Sequence, residues 1–366
     1  RKDIGLRHGC ESTSCGKGSS RFPNVNCTVK WFESTWESME ANHLHALMRL
    51  RLDVFVVEQN CVYPDLDGKD LDSIHIWALN ESADLGDSAE SVVRLLPPGL
   101  SYDVPSIGRV AVKDTQRGTG LGQELMERSL RACIRRWPLM PIQISAQEYL
   151  LNFYQSFGFE AYGEGYLEDG LPHMGMRMPA INWEWCCEDI RKAAEEFKEA
   201  FFRLSEEERQ GPSDGWSARQ VMSHIALSEK SLFAYMEKKC LADPLELKQA
   251  DRESDERGWK MIAALKSNVR LKAPTLGMLS PQGDDATATK GVEGDLFKSW
   301  HAQRMQGLDS WQAKASDDVW WTVQIFRHPI AGYISLYDTL RFMAEHIRHH
   351  IGQLNRMARE ENERTE

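Results

Sequence analysis

Two groups of residues in this chain have the types and the spacing to do chemistry. The first is a glycine-rich turn. Arg117, Gly118, Thr119, Gly120, Leu121 and Gly122 follow an apolar run at Arg109–Val112 and open a helical pattern. Alternate glycines let the backbone approach a ligand and turn its N–H groups toward it. A helix start adds partial positive charge, so the turn suits a pyrophosphate. A dinucleotide fold uses the same physics, but it needs G-x-G-x-x-G and an acidic residue ~20 positions on. Here the glycines run G-x-G-x-G after Arg117, and no matching βαβ unit follows. The second group is a set of imidazoles. His346 and His350 are four apart on a helical pattern, which puts them on one face about a turn apart. With His224 from another helix they could hold a divalent ion and leave positions open for water or substrate. The plainer reading of such a pair is two half-buried histidines. His349 lies off the shared face, and His328 precedes a proline, where it would shape a turn.

These groups need elements to position them. Leu44 to Gln59 has apolar residues at helical spacing, and 119–137 and 148–157 read as helices. Ser91–Leu96, Ile107–Val112 and Ile142–Ser145 read as strands. Val29 to Pro179 is therefore an α/β half with a central sheet. Beyond Pro179 the pattern changes. Residues 189–204, 217–239, 251–266 and 337–361 read as amphipathic helices, Pro and Gly cluster at 273–294, and no strand signal of comparable strength is seen. This half reads as an all-α helix bundle, with the boundary near 178–185. The organisation expected is a tail over 1–28, unstructured or processed, then domains over 29–180 and 181–366.

The order of motifs resembles two known families. R-x-x-G-x-G at Arg117, Gly120 and Gly122 resembles the pyrophosphate loop of GNAT N-acetyltransferases. The run Asn152-Phe-Tyr154-Gln-Ser-Phe-Gly158-Phe159 is similar to that family's N-x-Y-x-x-x-G-F segment. The stretches 49–70, 108–123, 152–159 and 169–175 resemble the bacterial ElaA-type subfamily, over about 29–178. The resemblance implies a mixed sheet flanked by helices and the use of acetyl-CoA. It implies cofactor contacts at Val110, Ala111, Val112, Arg117, Gly118, Thr119, Gly120, Leu121, Gly122 and Asn152. It makes Tyr154 the group that protonates the departing thiolate. A backbone N–H on Arg109–Val112 would hold the thioester oxygen. The amine must arrive neutral, which calls for a base, with Glu58, His75 and His173 as candidates. In the second half, the segments around Trp216–His224, Arg327–Gly332 and His346–Gln353 resemble the DinB/YfiT-like four-helix family. That resemblance implies a divalent metal (Zn, Ni, Fe or Mn) on His224, His346 and His350. Some members use a small thiol, which becomes a candidate partner here. Glu345 adjoins His346 but points elsewhere on the helix.

Composition narrows the classes. The chain has 366 residues, enough for two cores, and a formal net charge of −11, which argues against nucleic acid as a partner. No apolar run is long enough to span a bilayer. The eight cysteines are scattered without a C-x-x-C pair, as free thiols in a reducing compartment would be. The first 30 residues are Ser/Gly-rich and start on Arg1. The locations this allows are the cytoplasm, or an organelle after removal of a leader. The leading expectation is an acetyltransferase acting on a small-molecule amine, fused to a metal-dependent and thiol-using helical domain. The alternatives are an acetyltransferase with a non-catalytic binding or homodimerisation module, and a non-catalytic subunit of a larger assembly.

Overall fold

In the computed structural model, the structure describes residues 29–80, 88–210, 216–267 and 293–365. The tail 1–28, with Cys10, Cys15 and Cys27, lies outside the described residues, as do Gly215 and most of the Pro/Gly cluster at 273–294.

The first half is built in the order β1 (Val29–Thr35), α1 (Ala41–Arg51), β2 (Ile74–Asn80), β3 (Ser91–Leu96), β4 (Ser106–Val112), α2 (Leu121–Arg136), β5 (Ile142–Gln147), α3 (Leu151–Gln155), β6 (Glu160–Glu168) and β7 (Leu171–Met178). The expected helix 44–59 divides: α1 runs on into a π-helical turn, Leu52–Glu58. The strands form one sheet in the order β1-β2-β3-β4-β5-β7-β6, antiparallel except where β4 meets β5. Alternation along the strands feeds two layers. Val92 and Ala111 pack with Leu47, Leu50 and Val54 under α1. Val93, Leu95 and Ile107 pack on the other side with Leu125, Met126 and Leu130 of α2.

The second half contains α4 (Trp183–Phe202), the short α5 (Glu206–Gln210), α6 (Ala218–Lys239), α7 (Arg252–Lys266), α8 (Glu293–Ala315), β8 (Gln324–His328), β9 (Gly332–Ser335) and α9 (Leu336–Thr365). Side chains cap these helices: Asn182 on α4, Ser205 with Glu208 on α5, Ser217 with Gln220 on α6, Asp251 with Ser254 on α7 and Ser335 on α9. α4 lies along α9, while α6 packs on α8 and α9. This half is predominantly helical, as its periodicity implies, but it also carries the β8–β9 hairpin, paired from Gln324–Ser335 to His328–Gly332.

The halves share one continuous hydrophobic core. They join through a row of arginines on α2. Arg131 donates to Asp338 of α9 at 2.9 Å, with both side chains at most 1% exposed. Arg135 bridges Asp255 of α7 and Glu33 of β1. The Arg128 guanidinium lies 4.6 Å from the Trp31 ring and 5.4 Å from that of Trp259. Gly258 of α7 is required here, because a Cβ would come within 2.2 Å of the Asp338 carboxylate. The helix that begins at the glycine-rich turn is thus clamped to the helix that carries the histidine pair.

Candidate functional site

β4 and β5 are parallel, and their pairing consists of the single register Ser106–Gln143. Past that point the two strands separate and leave a V-shaped opening between their C-terminal ends. A bulge shapes the β4 side. Val92 pairs Ala111 and Arg94 pairs Gly108, so Arg109 and Val110 face the single Val93. Arg109 has φ +53°, a conformation that a side chain makes costly.

A buried charge network holds Arg109 there. Its Nε donates to Asp65 at 2.7 Å. Asp65 also accepts from Arg51 Nε at 2.8 Å and from the Tyr63 hydroxyl at 2.8 Å. Arg51, fully buried, reaches Asp70 at 2.6 Å, and Arg94 grips Asp67 with two bonds of 2.7 and 2.8 Å. Burial pushes the Asp67 and Asp70 carboxyls up, but Arg94 for one, and Arg51 with Arg94 for the other, hold both below the usual carboxylate range. Three aspartates in an apparent surface loop therefore fix the bend of a central strand. Sequence reasoning missed this network; its one visible signal was acidic residues at 65, 67 and 70 followed by single arginines on two apolar strands.

The glycine-rich turn sits at the mouth of the V. Gly118 and Gly120 have φ +75° and +97°, so both need glycine's freedom. Unlike α4, α6 and α7, α2 starts among the described residues without a capping side chain on its N-cap, Gly120. The nearest substitute is a long 3.4 Å contact from Leu121 N–H to Thr119 Oγ1. Its first N–H groups are therefore available to an anion. Arg117 folds back: its Nε donates to the Val112 carbonyl at 3.1 Å, and its two terminal nitrogens donate to the Glu58 carboxylate at 2.6 and 2.7 Å. Both Glu58 oxygens are engaged, and the Arg117 hydrogen bonds hold its carboxyl below the ordinary range.

β5 ends in α3, which presents Asn152 to solvent and turns Tyr154 inward between Phe153 and Phe159, 6% exposed. Burial raises the Tyr154 phenol above its ordinary value, so it keeps its proton. A cavity of about 380 Å³ lies at the end of β5, lined by Gln147, Glu148, Tyr149, Leu171 and Pro172.

Of the other base candidates, His75 is sealed in the core with its Nε2 3.1 Å from the Asp70 carbonyl. Burial pushes its pKa down, and it cannot reach a substrate. His75 is therefore not the base. His173, half-buried on β7, lies opposite Gln147 of β5 and Tyr166 of β6. Its Nδ1 is 2.9 Å from the Leu171 carbonyl, so Nδ1 carries a hydrogen, and Nε2 is the nitrogen left for another partner.

The three imidazoles in the second half converge. His224 of α6 and His346 and His350 of α9 have ligand atoms within 4.8 Å of one another. His346 Nε2 lies 3.3 Å from His224 Nε2 and 3.2 Å from His350 Nε2. One hydrogen on His346 Nε2 can serve only one of these contacts. His350 Nδ1 is 3.0 Å from Gln353 Oε1; donating there leaves its Nε2 as a bare lone pair. Burial pushes the His346 and His350 pKa values down, so both rings are neutral. Three imidazoles aimed at one point suit a divalent cation. His349 turns away to the Leu265 carbonyl at 3.0 Å, and Glu345 to Arg348 at 3.2 Å. His328 Nδ1 accepts from Ile330 and Ala331 N–H at 3.2 and 3.1 Å in the β8–β9 turn.

The Acetyltransferase (GNAT) domain family matches residues 99–180, and the DinB superfamily matches residues 183–354. Protein ElaA of Escherichia coli (strain K12) is 41% identical over 155 residues, 42% of this chain and 98% of that protein. A UPF0039 protein of Synechocystis is 34% identical over 148 residues, 40% of this chain and 94% of that protein. Among solved structures, an acyl-CoA N-acyltransferase from Pseudomonas aeruginosa is 40% identical with a TM-score of 0.39, covering 41% of this chain and 99% of that one. Escherichia coli ElaA is 40% identical with a TM-score of 0.38, covering 41% and 99%.

Proposed function

From the premise that the chain belongs to the ElaA family of GNAT N-acetyltransferases through its first half, and carries a DinB-superfamily domain in its second, we propose that it moves an acetyl group from acetyl-CoA to a small-molecule amine. The observation that carries this reading is the V between β4 and β5, with a strained bulge on one side and an uncapped helix start at its mouth. The division we propose is an acetyltransferase domain over 29–180 and a helical domain, with a four-helix core of α4, α6, α8 and α9, over 181–366.

The pyrophosphate would lie on the Gly118–Gly122 N–H groups and the thioester arm along Val110–Val112, beside Asn152. The amine nitrogen attacks the thioester carbon, whose oxygen takes a backbone hydrogen bond from the bulge as its charge grows. The C–N bond forms and the C–S bond breaks. His173 Nε2, the nitrogen not engaged by the Leu171 carbonyl, takes the proton that the ammonium must lose. Glu58, a candidate base by its type, has both oxygens on Arg117 and anchors the pyrophosphate loop instead. Tyr154 donates a hydrogen bond to the departing sulfur. A thiol titrates near ~8.5 and this phenol above its ordinary value, so complete transfer runs uphill, and the phenol acts mainly by stabilising the thiolate.

His224, His346 and His350 are the residues that would hold a divalent ion in the helical domain. When bound, such an ion lowers the pKa of a water or thiol at its open position. Gln353 fixes the ring of His350, and the Trp216 ring packs 4.7 Å from that of His224. A thiol-using second activity is the reading we favour over a purely structural module, because three side-chain ligands leave an ion a position open.

Calorimetric titration with acetyl-CoA tests the first reading. Binding that weakens severely in Gly120→Val is expected, because a Cβ at φ +97° strains the turn. Absence of binding by the folded wild type would overturn it.

A further inference from the structure

The outer face of β5, β7 and β6 carries a set of side chains that acetyl-CoA recognition does not use. Gln143, Ser145 and Gln147 point to this face while Ile142, Ile144 and Ala146 point into the core. Ser145 stands two residues past the Ser106–Gln143 pair, and so at the start of the V. It lies opposite Gly175 of β7, which lies opposite Tyr162 of β6. Glycine is needed at 175: a Cβ there would come within 2.9 Å of the Tyr162 ring. The ring thus crosses β7, and the Tyr162 hydroxyl reaches the Gln143 amide on β5.

Tyr166 does the same one step along. Its hydroxyl is 2.6 Å from Ser145 Oγ, and Ser145 Oγ donates to Glu168 Oε2 at 2.7 Å. Ser145 has one hydrogen, so the order is Tyr166 O–H to Ser145, then Ser145 O–H to the Glu168 carboxylate. The Tyr166 ring also stacks on His173, with centroids 6.2 Å apart and planes 22° apart. Tyr102, from the loop before β4, closes the set. Burial raises its phenol, and Tyr166, Tyr162 and Glu168 are near enough to raise it further. Two of these tyrosines remain about two-fifths exposed, Tyr162 at 44% and Tyr166 at 41%.

The charge on this edge is mostly negative. Glu160, Glu164, Glu168 and Asp169 lie within β6 and its turn, and the cation on the same strands is Arg177 of β7, opposite Glu160 and Gln143. Aromatic faces and a hydrogen-bonded carboxylate together recognise an organic cation. We infer that this face, built from Tyr102, Tyr162, Tyr166 and Glu168 beside His173, is the acceptor subsite, and that it selects an amine bearing a second positive charge over a zwitterionic amine. The inference rests on the acetyltransfer reading for its use, though the cation site itself does not require turnover. Ser145 keeps Glu168 placed, the tyrosine rings take one ammonium, and the net negative charge of β6 favours a second.

The test uses the full chain and three probes of matched length: butane-1,4-diamine, butan-1-amine and 4-aminobutanoate. Binding of each to the protein saturated with CoA is followed by calorimetry, and acetyl transfer is followed by thiol release. The expected order is diamine, then monoamine, then 4-aminobutanoate. Glu168→Gln should weaken diamine binding at least tenfold and leave acetyl-CoA affinity unchanged, and Tyr166→Phe should weaken it less. Equal binding of the three probes, or diamine affinity unmoved by Glu168→Gln, would overturn the subsite. Diamine binding that responds to Glu168→Gln in a chain that fails to bind acetyl-CoA would uphold the subsite and reject the acetyltransfer reading, so the two failures are distinguishable.

Discussion

Removing the carboxylate of Asp65 tests how the reaction centre is held. Asp65 is 3% exposed and accepts from Arg51, Arg109 and Tyr63. In Asp65→Ala the fully buried Arg51 keeps Asp70 at 2.6 Å but loses its Nε partner. Breaking a buried ion pair costs about 3–5 kcal/mol, and the remaining Asp70 contact places this variant near the lower end. Asp65→Asn, which still offers an acceptor, should cost about half as much. The functional effect has a separate origin. Arg109 at φ +53° stores strain of about 1–3 kcal/mol, which persists only while its surroundings enforce it. Without the Asp65 anchor the bulge should relax, and the backbone donor proposed for the thioester oxygen should move. Loss of one such donor lowers turnover about 10²–10³-fold. The Gly118–Gly122 turn is untouched, so acetyl-CoA affinity should hold. Urea unfolding, acetyl-CoA calorimetry and steady-state thiol release measure the three quantities on one preparation. A destabilised variant with unchanged kcat, or one whose acetyl-CoA affinity falls in step with turnover, would refute the anchoring role.

Arg131→Leu should destabilise the chain by about 3–5 kcal/mol, because it strands the buried Asp338; the double variant Arg131→Leu/Asp338→Leu should recover part of that loss in a urea-unfolding cycle. Asp67, Asp70 and Glu33 have carboxyls held below the ordinary range by their arginines against the opposing effect of burial. Their stabilisation is present above the unfolded value of ~4 and is lost as pH falls through the depressed folded values, so the urea midpoint should drop below pH 4; a flat midpoint from pH 7 to 3 would contradict this. Wild-type protein grown with zinc, nickel, iron and manganese should retain a divalent ion by elemental analysis, and His346→Ala should lose it while its acetyl-CoA affinity stays the same; equal metal content in both would refute the three-histidine site.

Local pattern made part of this molecule legible. The turn at Gly118–Gly120 showed because positive φ requires glycine, and α2 showed because its apolar positions keep a helical period. The pairing of His346 with His350 follows from their spacing, but the approach of His224 is tertiary: residue type makes it a candidate and the resemblance strengthens it, while only the fold brings it there. α8 escaped notice because its buried face includes Arg304, which pairs with Glu229 of α6 and interrupts the apolar stripe. The β8–β9 hairpin has strands of five and four residues, too short for alternation to stand out. β6 is exposed along its whole length, so its tyrosines and glutamates resembled a solvated loop. The charge network was hidden for another reason: Arg51 and Asp65 read as surface residues until the fold buries them against Arg109.

The most direct test of the acetyltransfer account is Tyr154→Phe, assayed for acetyl-CoA affinity by calorimetry and for turnover by thiol release with a panel of amines. The variant removes one hydroxyl from a 6%-exposed ring and leaves its packing against Phe153 and Phe159 in place. The account predicts that affinity is retained and that kcat falls about 10²–10³-fold, as expected for losing one hydrogen bond to developing charge. Turnover equal to wild type would contradict it.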